Sequence, residues 1–592
     1  MQAARESRLA RHAWWIVLGL SVLAFGLRVH GLGFLLPQQV AIDEIVLARE
    51  VERIDSGRAD FHRDHELGLY PDLLPRLVPK LSVVQAASSA DPLPLSKELA
   101  RAAEPFFAVR FVVALLSVLS VPATYLLARS FLDAKGAMLA AALAATSFLD
   151  LWFAQQSRPH AAAGSLMLVA VLAALDLRQN PTPRRYVLAG IATGLAVGCL
   201  QYGIFVLPAL LAAFWLRRSG GARSRWQDFG WLLVSLAIVA ASIALFYQFV
   251  WQSDPGRDTE PFRMEASTLR VYGHRVHLEN LGLRGLGTVL WTAWSYEPIL
   301  SILALGACVL ALVRRLLRFS LDGERRKDLF VVFAFTLPFL AVLSVYGATQ
   351  QRFLIPLVPF AAVLAARLLT RIFDWLRAAF PVGALGAVVP ATLVLLPIGG
   401  ETWAAARLSC VRASDDTLTQ AAEWIRAHAR AVEDRVLLSP ALDLPLYRRA
   451  AILGTEHGMT GRSFPWAVYQ REHVPVACLE QAFETVSVPL ATDADRELLM
   501  RDPAGLVASL GVRFAVVEVR DGWGWPGLVQ LRRGLQELGV LVCRFDPSDA
   551  GDARAQPFAY EFERLPDRVA WMWRTLFTRR TGPVIEIYEL RR

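Results

Sequence analysis

Charge is scarce in this chain. Of 592 residues, 19% are charged and 55% hydrophobic, and the mean hydropathy is +0.38. An ordinary soluble protein carries about a quarter charged residues, so that class is excluded and an integral membrane protein is expected. Cysteine is scarce too: five in all, of which Cys199 and Cys308 fall in apolar segments and Cys410, Cys478 and Cys543 in the C-terminal part. One disulfide among the last three is open, and the odd count leaves its pairing undecided. No nucleotide-binding loop or nucleophile elbow is present, which removes the usual signs of an activated-nucleotide donor or a serine hydrolase. The basic-then-apolar N-terminus lacks a convincing A-x-A cleavage site and is expected to stay as an anchor.

What is present is a series of eleven apolar segments near the length needed to cross a bilayer, about 20 residues. They lie near 14–32, 106–128, 137–154, 161–177, 186–200, 203–216, 229–251, 296–313, 329–346, 353–369 and 381–399. Basic residues collect at alternate ends of these segments: Arg5, Arg8 and Arg11; Arg129 and Lys135; Arg178, Arg184 and Arg185; Arg217 to Arg225; Arg314 to Lys327; Arg367, Arg371 and Arg377. Such clusters stay on the cytoplasmic side. The odd number of spans then sends loops 33–105 and 252–295, and everything after residue 400, to the outer side. The net charge of +9 is a topology signal and no sign of nucleic-acid binding. A bacterial inner membrane is the expected location, from the Ala/Leu/Arg-rich composition and the lack of a retention signal.

The first outer loop carries the best clue to chemistry. Asp43 and Glu44 stand just beyond the first span, at the edge of a low-dielectric region, where a carboxylate is placed to accept a proton from a substrate hydroxyl. The plainer alternative is a solvated start to an amphipathic helix over 43–54, which the spacing of Ile45, Val46, Ala48, Val51 and Ile54 predicts. The loop continues through Asp60, His62, Asp64, His65 and Glu66 to Tyr70-Pro71. Loops this long are usually functional.

After residue 400 the pattern becomes mixed and reads as a small α/β domain. Asp415 or Asp416 caps an expected helix running to about Arg430, with Ala421, Trp424 and Ile425 on one face. Strands are expected at 435–439, 513–519, 540–545 and 584–590. The expected organisation is a transmembrane domain over 1–400, including loop 33–105, followed by an extracytoplasmic α/β domain over 401–592.

Four features in order carry a resemblance: the Asp43-Glu44 pair, Tyr70-Pro71, AQQSRPHAAAGSLMLVAVLAAL (154–175) and QQRFLIPLVPFAAVLAARLL (350–369). Together they resemble the membrane-embedded GT-C glycosyltransferases, and within them the dolichyl-phosphate-mannose protein mannosyltransferase and aminoarabinose transferase branch. The resemblance implies an inverting, polyprenyl-phosphate-sugar-dependent glycosyltransferase acting on the outer face. It implies Asp43 as catalytic base with Glu44 beside it, a polyprenyl-phosphate-linked sugar as donor, and a protein, lipid or polysaccharide acceptor. Membrane lipids are the other expected partners. For the leaving phosphate, the candidates are Arg158 and Arg352, both in short outward loops where a guanidinium grips phosphate through two hydrogen bonds. Arg352 matches the family's arginine-aromatic-leucine-x-proline segment. The plainer reading of both is snorkelling to headgroups.

The chain also departs from that family. His160 stands where relatives often carry aspartate, and Gln201 precedes Tyr202 where a lysine is common, so donor or acceptor handling is altered or activity weakened. Tyr70, His160 and Tyr202 are candidate substrate-binding residues, with His160 either a second proton acceptor or a hydrogen-bond donor. No cofactor is certain. A divalent metal is open, with His62, His65, His274 and His277 as weak candidate ligands beside Glu66 and Glu279. Trp291, Trp294 and Tyr296 read as an interfacial aromatic belt. Two other classes stay in view: a transporter or flippase for a lipid-linked substrate, against which no inverted repeats are apparent, and an inactive GT-C-like scaffold.

Overall fold

The computed structural model describes residues 2–38, 44–45, 94–218, 224–247, 262–265, 268–271, 274–316, 323–379, 385–440, 442–454, 464–488, 492–519, 526–548, 571–575 and 577–591. Asp43, His62, His65 and Tyr70 lie outside these residues, as does most of the expected 43–54 helix.

Where they are described, the eleven apolar segments are largely helical. The first part of the bundle comprises α1 (Gln2–Val29), α2 (Leu95–Ser117), α3 (Ser120–Arg129), α4 (Ala134–Thr146), α5 (Phe148–Ala154), α6 (His160–Gln179), α7 (Pro183–Cys199), α8 (Leu207–Trp215) and α9 (Arg225–Phe246). A three-stranded antiparallel sheet, β1 (Phe262–Glu265), β2 (Thr268–Val271) and β3 (His274–His277), interrupts the helices. The bundle then resumes with α10 (Arg284–Tyr296), α11 (Pro298–Leu316), α12 (Gly323–Val345), α13 (Val358–Ala379) and α14 (Leu385–Ala413). Among the described residues, seven helices are long and apolar enough to cross a membrane, or up to nine when the bent pairs α4–α5 and α10–α11 each count as one. The two remaining segments are α7, 17 residues long, and the shorter apolar helix Gln201–Trp215.

Local signals explain the breaks. Asp133 caps α4 by accepting from the Gly136 amide at 2.9 Å. Ser147 stands between α4 and α5, its hydroxyl accepting from the Asp150 amide at 3.2 Å, and the chain bends by 44° there. Glu297 separates α10 from α11, which diverge by 118°. Pro183 opens α7, where its missing N–H costs nothing.

The C-terminal domain follows α14, a single helix that runs across residue 400. Asp416 caps α15 (Thr417–His428) through the Thr419 amide at 2.7 Å, as the sequence predicts. The sheet contains β4 (Arg435–Leu438), β5 (Glu484–Ser487), β6 (Phe514–Val519), β7 (Gly539–Phe545) and β8 (Val584–Leu590) in the order β5-β4-β6-β8-β7. Strand β4 runs parallel to β5 and β6; β8 is antiparallel to β6 and β7. All four expected strands are present, and β5 is the additional one.

Alternation along the strands builds two apolar layers. Val436, Leu438, Phe514, Val516, Ile585 and Ile587 face α15, while Leu437, Ala515, Val517 and Tyr588 face the opposite layer with Leu499, Leu531 and Leu535. Phe34 and Leu35, just past α1, enter the first of these layers. The first residues after α1 are thus packed into the core of the C-terminal domain. Tyr469 ties the same two regions from the other side, donating its hydroxyl to Glu98 of α2 at 2.6 Å. All five cysteines are free thiols.

One expectation from the sequence changes. Trp294 is 47% exposed, in keeping with a belt, but Tyr296 is 1% exposed and packs against Phe148, Trp152 and Phe153. The 118° bend after it turns the ring inward, where an apolar ring gains more from burial than from the interface.

Candidate active site

Four of the residues singled out from the sequence meet at one end of the bundle. His160 is the first residue of α6, directly after the Gln155–Pro159 connection, and is 8% exposed. Arg352 and Phe353 lie on the 3-10 turn Gln351–Leu357 that leads into α13. The His160 ring stacks on Phe353, with centroids 5.5 Å apart and planes 25° apart. Tyr202, on the 3-10 turn Gln201–Val206, meets the same phenyl ring edge-on at 5.0 Å. The Arg352 guanidinium lies 5.5 Å from the centre of that ring and donates from Nε to His160 Nε2 at 3.2 Å. Arg158, 7% exposed, also acts electrostatically on His160.

Gly164 makes this meeting possible. It sits one turn into α6, where an added Cβ would lie 3.1 Å from Ile355 Cγ2 and 3.4 Å from the Pro356 nitrogen. With no side chain there, α6 and the Gln351–Leu357 turn close up and bring His160 to Arg352.

The hydrogen bond from Arg352 sets the tautomer of His160. A guanidinium only donates, so Nε2 is the acceptor and the ring is neutral with its proton on Nδ1. That Nδ1 is buried and has no hydrogen-bond partner among the described residues. His160 therefore presents an N–H at Nδ1.

Glu44 forms a second cluster against the same connection. Its carboxylate, 0% exposed, accepts from Arg110 Nε at 2.9 Å and Nη2 at 3.1 Å, and from the Ser157 amide at 2.6 Å. Arg110 also donates to the carbonyls of Leu32 at 2.8 Å and Phe34 at 3.0 Å. Arg412 of α14 donates to the Trp152 carbonyl at 3.1 Å and Gln155 Oε1 at 2.8 Å, with its guanidinium 4.1 Å from the Phe34 ring centre. Gln155 in turn donates to the carbonyls of Leu27 at 2.9 Å and His30 at 2.7 Å. These links tie the loop after α1 to the strand of chain holding Arg158 and His160. Asp43, next to Glu44, is outside the described residues.

Sequence reasoning missed Arg110, Arg412 and Phe353, and three acids inside the bundle. Asp150 is paired with Arg28, Glu297 accepts from the Ser147 hydroxyl and from the Leu149 amide at 2.8 Å, and Glu401 is fully buried. Ionisable groups within apolar runs are themselves a signal, because the bilayer makes them costly unless they have a partner or a role. Among the described residues no group of three or more His, Cys, Asp or Glu side chains could hold a metal ion. His277 reaches Glu279 at 4.0 Å, and the side chains of His62, His65 and His274 are outside the described set.

Residues 96–247, which span α2 to α9 and include Arg158, His160 and Tyr202, match the family described as dolichyl-phosphate-mannose-protein mannosyltransferase. The resemblance to GT-C membrane glycosyltransferases read from the motifs and this match agree. No curated protein matches in sequence. Among solved structures, similarity is found to the Archaeoglobus fulgidus oligosaccharyltransferase tethered to an acceptor peptide, at 14% identity over 86% of this chain and 69% of that one, with a TM-score of 0.44. ArnT from Cupriavidus metallidurans bound to undecaprenyl phosphate is similar at 14% identity over 71% and 73% of the two chains, TM-score 0.37. The S. cerevisiae protein O-mannosyltransferase Pmt1-Pmt2 complex bound to its sugar donor is similar at 19% identity over 41% and 35%, TM-score 0.31.

Proposed function

We propose that this protein transfers a sugar from a polyprenyl-phosphate donor to an acceptor at the outer face of the membrane. The observation that carries the reading is the convergence of Arg352, Arg158, His160 and Tyr202 around Phe353 at one end of the bundle. Two guanidiniums beside a neutral N–H donor and an aromatic cluster suit a lipid phosphate that arrives from the bilayer with a sugar attached.

In the proposed reaction the acceptor oxygen attacks the anomeric carbon and its proton passes to the Asp43 carboxylate. The bond from the anomeric carbon to the phosphate oxygen breaks, and the leaving lipid phosphate keeps the electron pair and gains a negative charge. Arg352 and Arg158 stabilise that charge, while attack opposite the leaving group inverts the anomeric centre. Glu44 is a positioning residue: Arg110 and the Ser157 amide hold its carboxylate, which fixes the chain next to Asp43 relative to Arg158. The N-terminus then faces the cytoplasm and the C-terminal domain the outside, in a bacterial inner membrane. The donor sugar and acceptor are those that the outer loops and the C-terminal domain admit.

The test is transfer of radiolabelled sugar from a panel of polyprenyl-phosphate donors to membrane acceptors, comparing the wild type with Asp43→Asn. Loss of transfer at unchanged abundance and folding supports the reading. A wild type that consumes no donor under conditions where a known relative works would put a transporter or an inactive scaffold in its place.

A further inference from the structure

The end of the bundle away from the candidate active site holds a cleft of about 750 Å³ that no part of the proposed reaction uses. Arg367 and Arg371, one turn apart on α13, lie 15 and 19 residues beyond Arg352. At 1.5 Å per residue that places them roughly 22–28 Å further along the same direction, close to a bilayer's hydrocarbon thickness. Arg325, at the start of α12, and Lys135, in the first turn of α4, complete the cationic lining.

The cleft has two chemically distinct zones. Four cations stand against two carboxylates, Asp133 and Asp374. The Asp133 carboxylate already caps α4 through the Gly136 amide at 2.9 Å. The lining contributed by α1 and α14 is apolar, with Ile16, Val394, Leu395 and Ile398. Ile16 is 46% exposed and Leu395 58%, so this wall opens sideways, toward where lipid chains run in a membrane-spanning bundle. A soluble anion would have no use for it.

We propose that this cleft binds an anionic phospholipid, with the headgroup phosphate held by Arg367, Arg371, Arg325 and Lys135 and the acyl chains lying along α1 and α14. Charge complementarity selects the headgroup, since the lining has two more cations than carboxylates and arginine pairs can grip a phosphate through parallel hydrogen bonds. Basic pockets between transmembrane helices at the side facing basic loops are suited to such headgroups. The lipid would bridge α1, α4, α12, α13 and α14. It would occupy a site separate from the sugar donor's, at the other membrane face.

The experiment is native mass spectrometry of the full chain, purified in detergent with equimolar phosphatidylglycerol and phosphatidylcholine. We expect wild type to retain phosphatidylglycerol about tenfold over phosphatidylcholine. The Arg367→Gln/Arg371→Gln double variant should lose that preference, and Val394→Trp, which fills the apolar wall while leaving every cation in place, should lower retention as well. Equal retention of the two lipids by wild type would overturn the proposal, as would unchanged preference in the double variant. Displacement of the lipid by millimolar inorganic phosphate would reassign the cleft to a soluble anion. Should the double variant fail to fold, Lys135→Gln, at an exposed position, is measured instead and read by the same outcomes.

Discussion

Arg110 holds Glu44 through two parallel hydrogen bonds, 2.9 Å from Nε to Oε1 and 3.1 Å from Nη2 to Oε2, and neither side chain is exposed. The two residues are 66 positions apart in the chain. Because the Ser157 amide donates to the same carboxylate, this pair joins the loop after α1, helix α2 and the connection before α6. It links the connection holding Arg158 and His160 to Glu44 and to the residues just after α1.

Arg110→Ala should therefore be strongly destabilising. It leaves a buried carboxylate without its cation, a change that costs about 3–5 kcal/mol in comparable buried pairs. Thermal unfolding of the full chain in detergent reads it. The double variant Glu44→Leu/Arg110→Met should recover part of the loss, since no charge is then left unpaired. A single variant that melts like wild type would show that the pair contributes little.

Arg352 should matter for the donor more than for the fold. Losing a charged hydrogen bond to phosphate costs about 1.5–3 kcal/mol, roughly a 10- to 100-fold fall in kcat/KM. Arg352→Lys should restore only part of it, because an ammonium keeps the charge without the planar fork. Donor-dependent kinetics on both variants check this. Full activity in Arg352→Ala would remove this residue from the site.

Much of this arrangement was legible before the structure, and the limits follow from distance and context. Arg158 and Arg352 stand out because arginines in short outward loops run against the charge bias, whereas His160 and Tyr202 were marked only by the family resemblance, at or beside departures from its pattern. Phe353 did not, since an aromatic beside an apolar span looks like any other lipid-facing residue. Arg110 interrupts the apolar run FFAVRFVVALL, which signals a required partner, but nothing local identifies Glu44 as that partner. Strand β5 was invisible because ETVS is short and three of its four residues are polar. Tyr296 changed from belt to core because the bend at Glu297 is a tertiary feature that hydropathy cannot carry.

Gly31, two residues past the end of α1, lies directly against the backbone of α14. Its φ is +81°, a conformation that side chains disfavour, and an added Cβ would lie 2.7 Å from the Ser409 carbonyl oxygen and 2.8 Å from the Ala413 nitrogen. Gly31→Ala combines backbone strain of about 1–3 kcal/mol with a clash against helix backbone that cannot rotate away. The expected result is a lowered melting temperature and loss of the protease-resistant full-length species. Wild-type melting of Gly31→Ala would mean that the α1–α14 approach relaxes freely.

The C-terminal domain should lose stability in acid through Glu586. Burial of this carboxylate pushes its pKa up, but the Arg532 hydrogen bonds at 2.7 Å, the Tyr588 hydroxyl at 2.6 Å and Arg544 at 3.1 Å outweigh it and hold the group below the usual glutamate value. A lowered folded-state pKa gives stability that is complete above the unfolded value, about 4.3, and disappears as the pH falls through the folded one. Melting temperature should stay flat from neutral pH to about 5 and then decline. Glu586→Gln should lie below wild type at neutral pH and approach it in acid, with a shallower acid limb. Asp434, also held low against burial by Arg430 and Arg513, keeps some slope in the variant. Parallel acid limbs for wild type and variant would mean that Glu586 is not the titrating group.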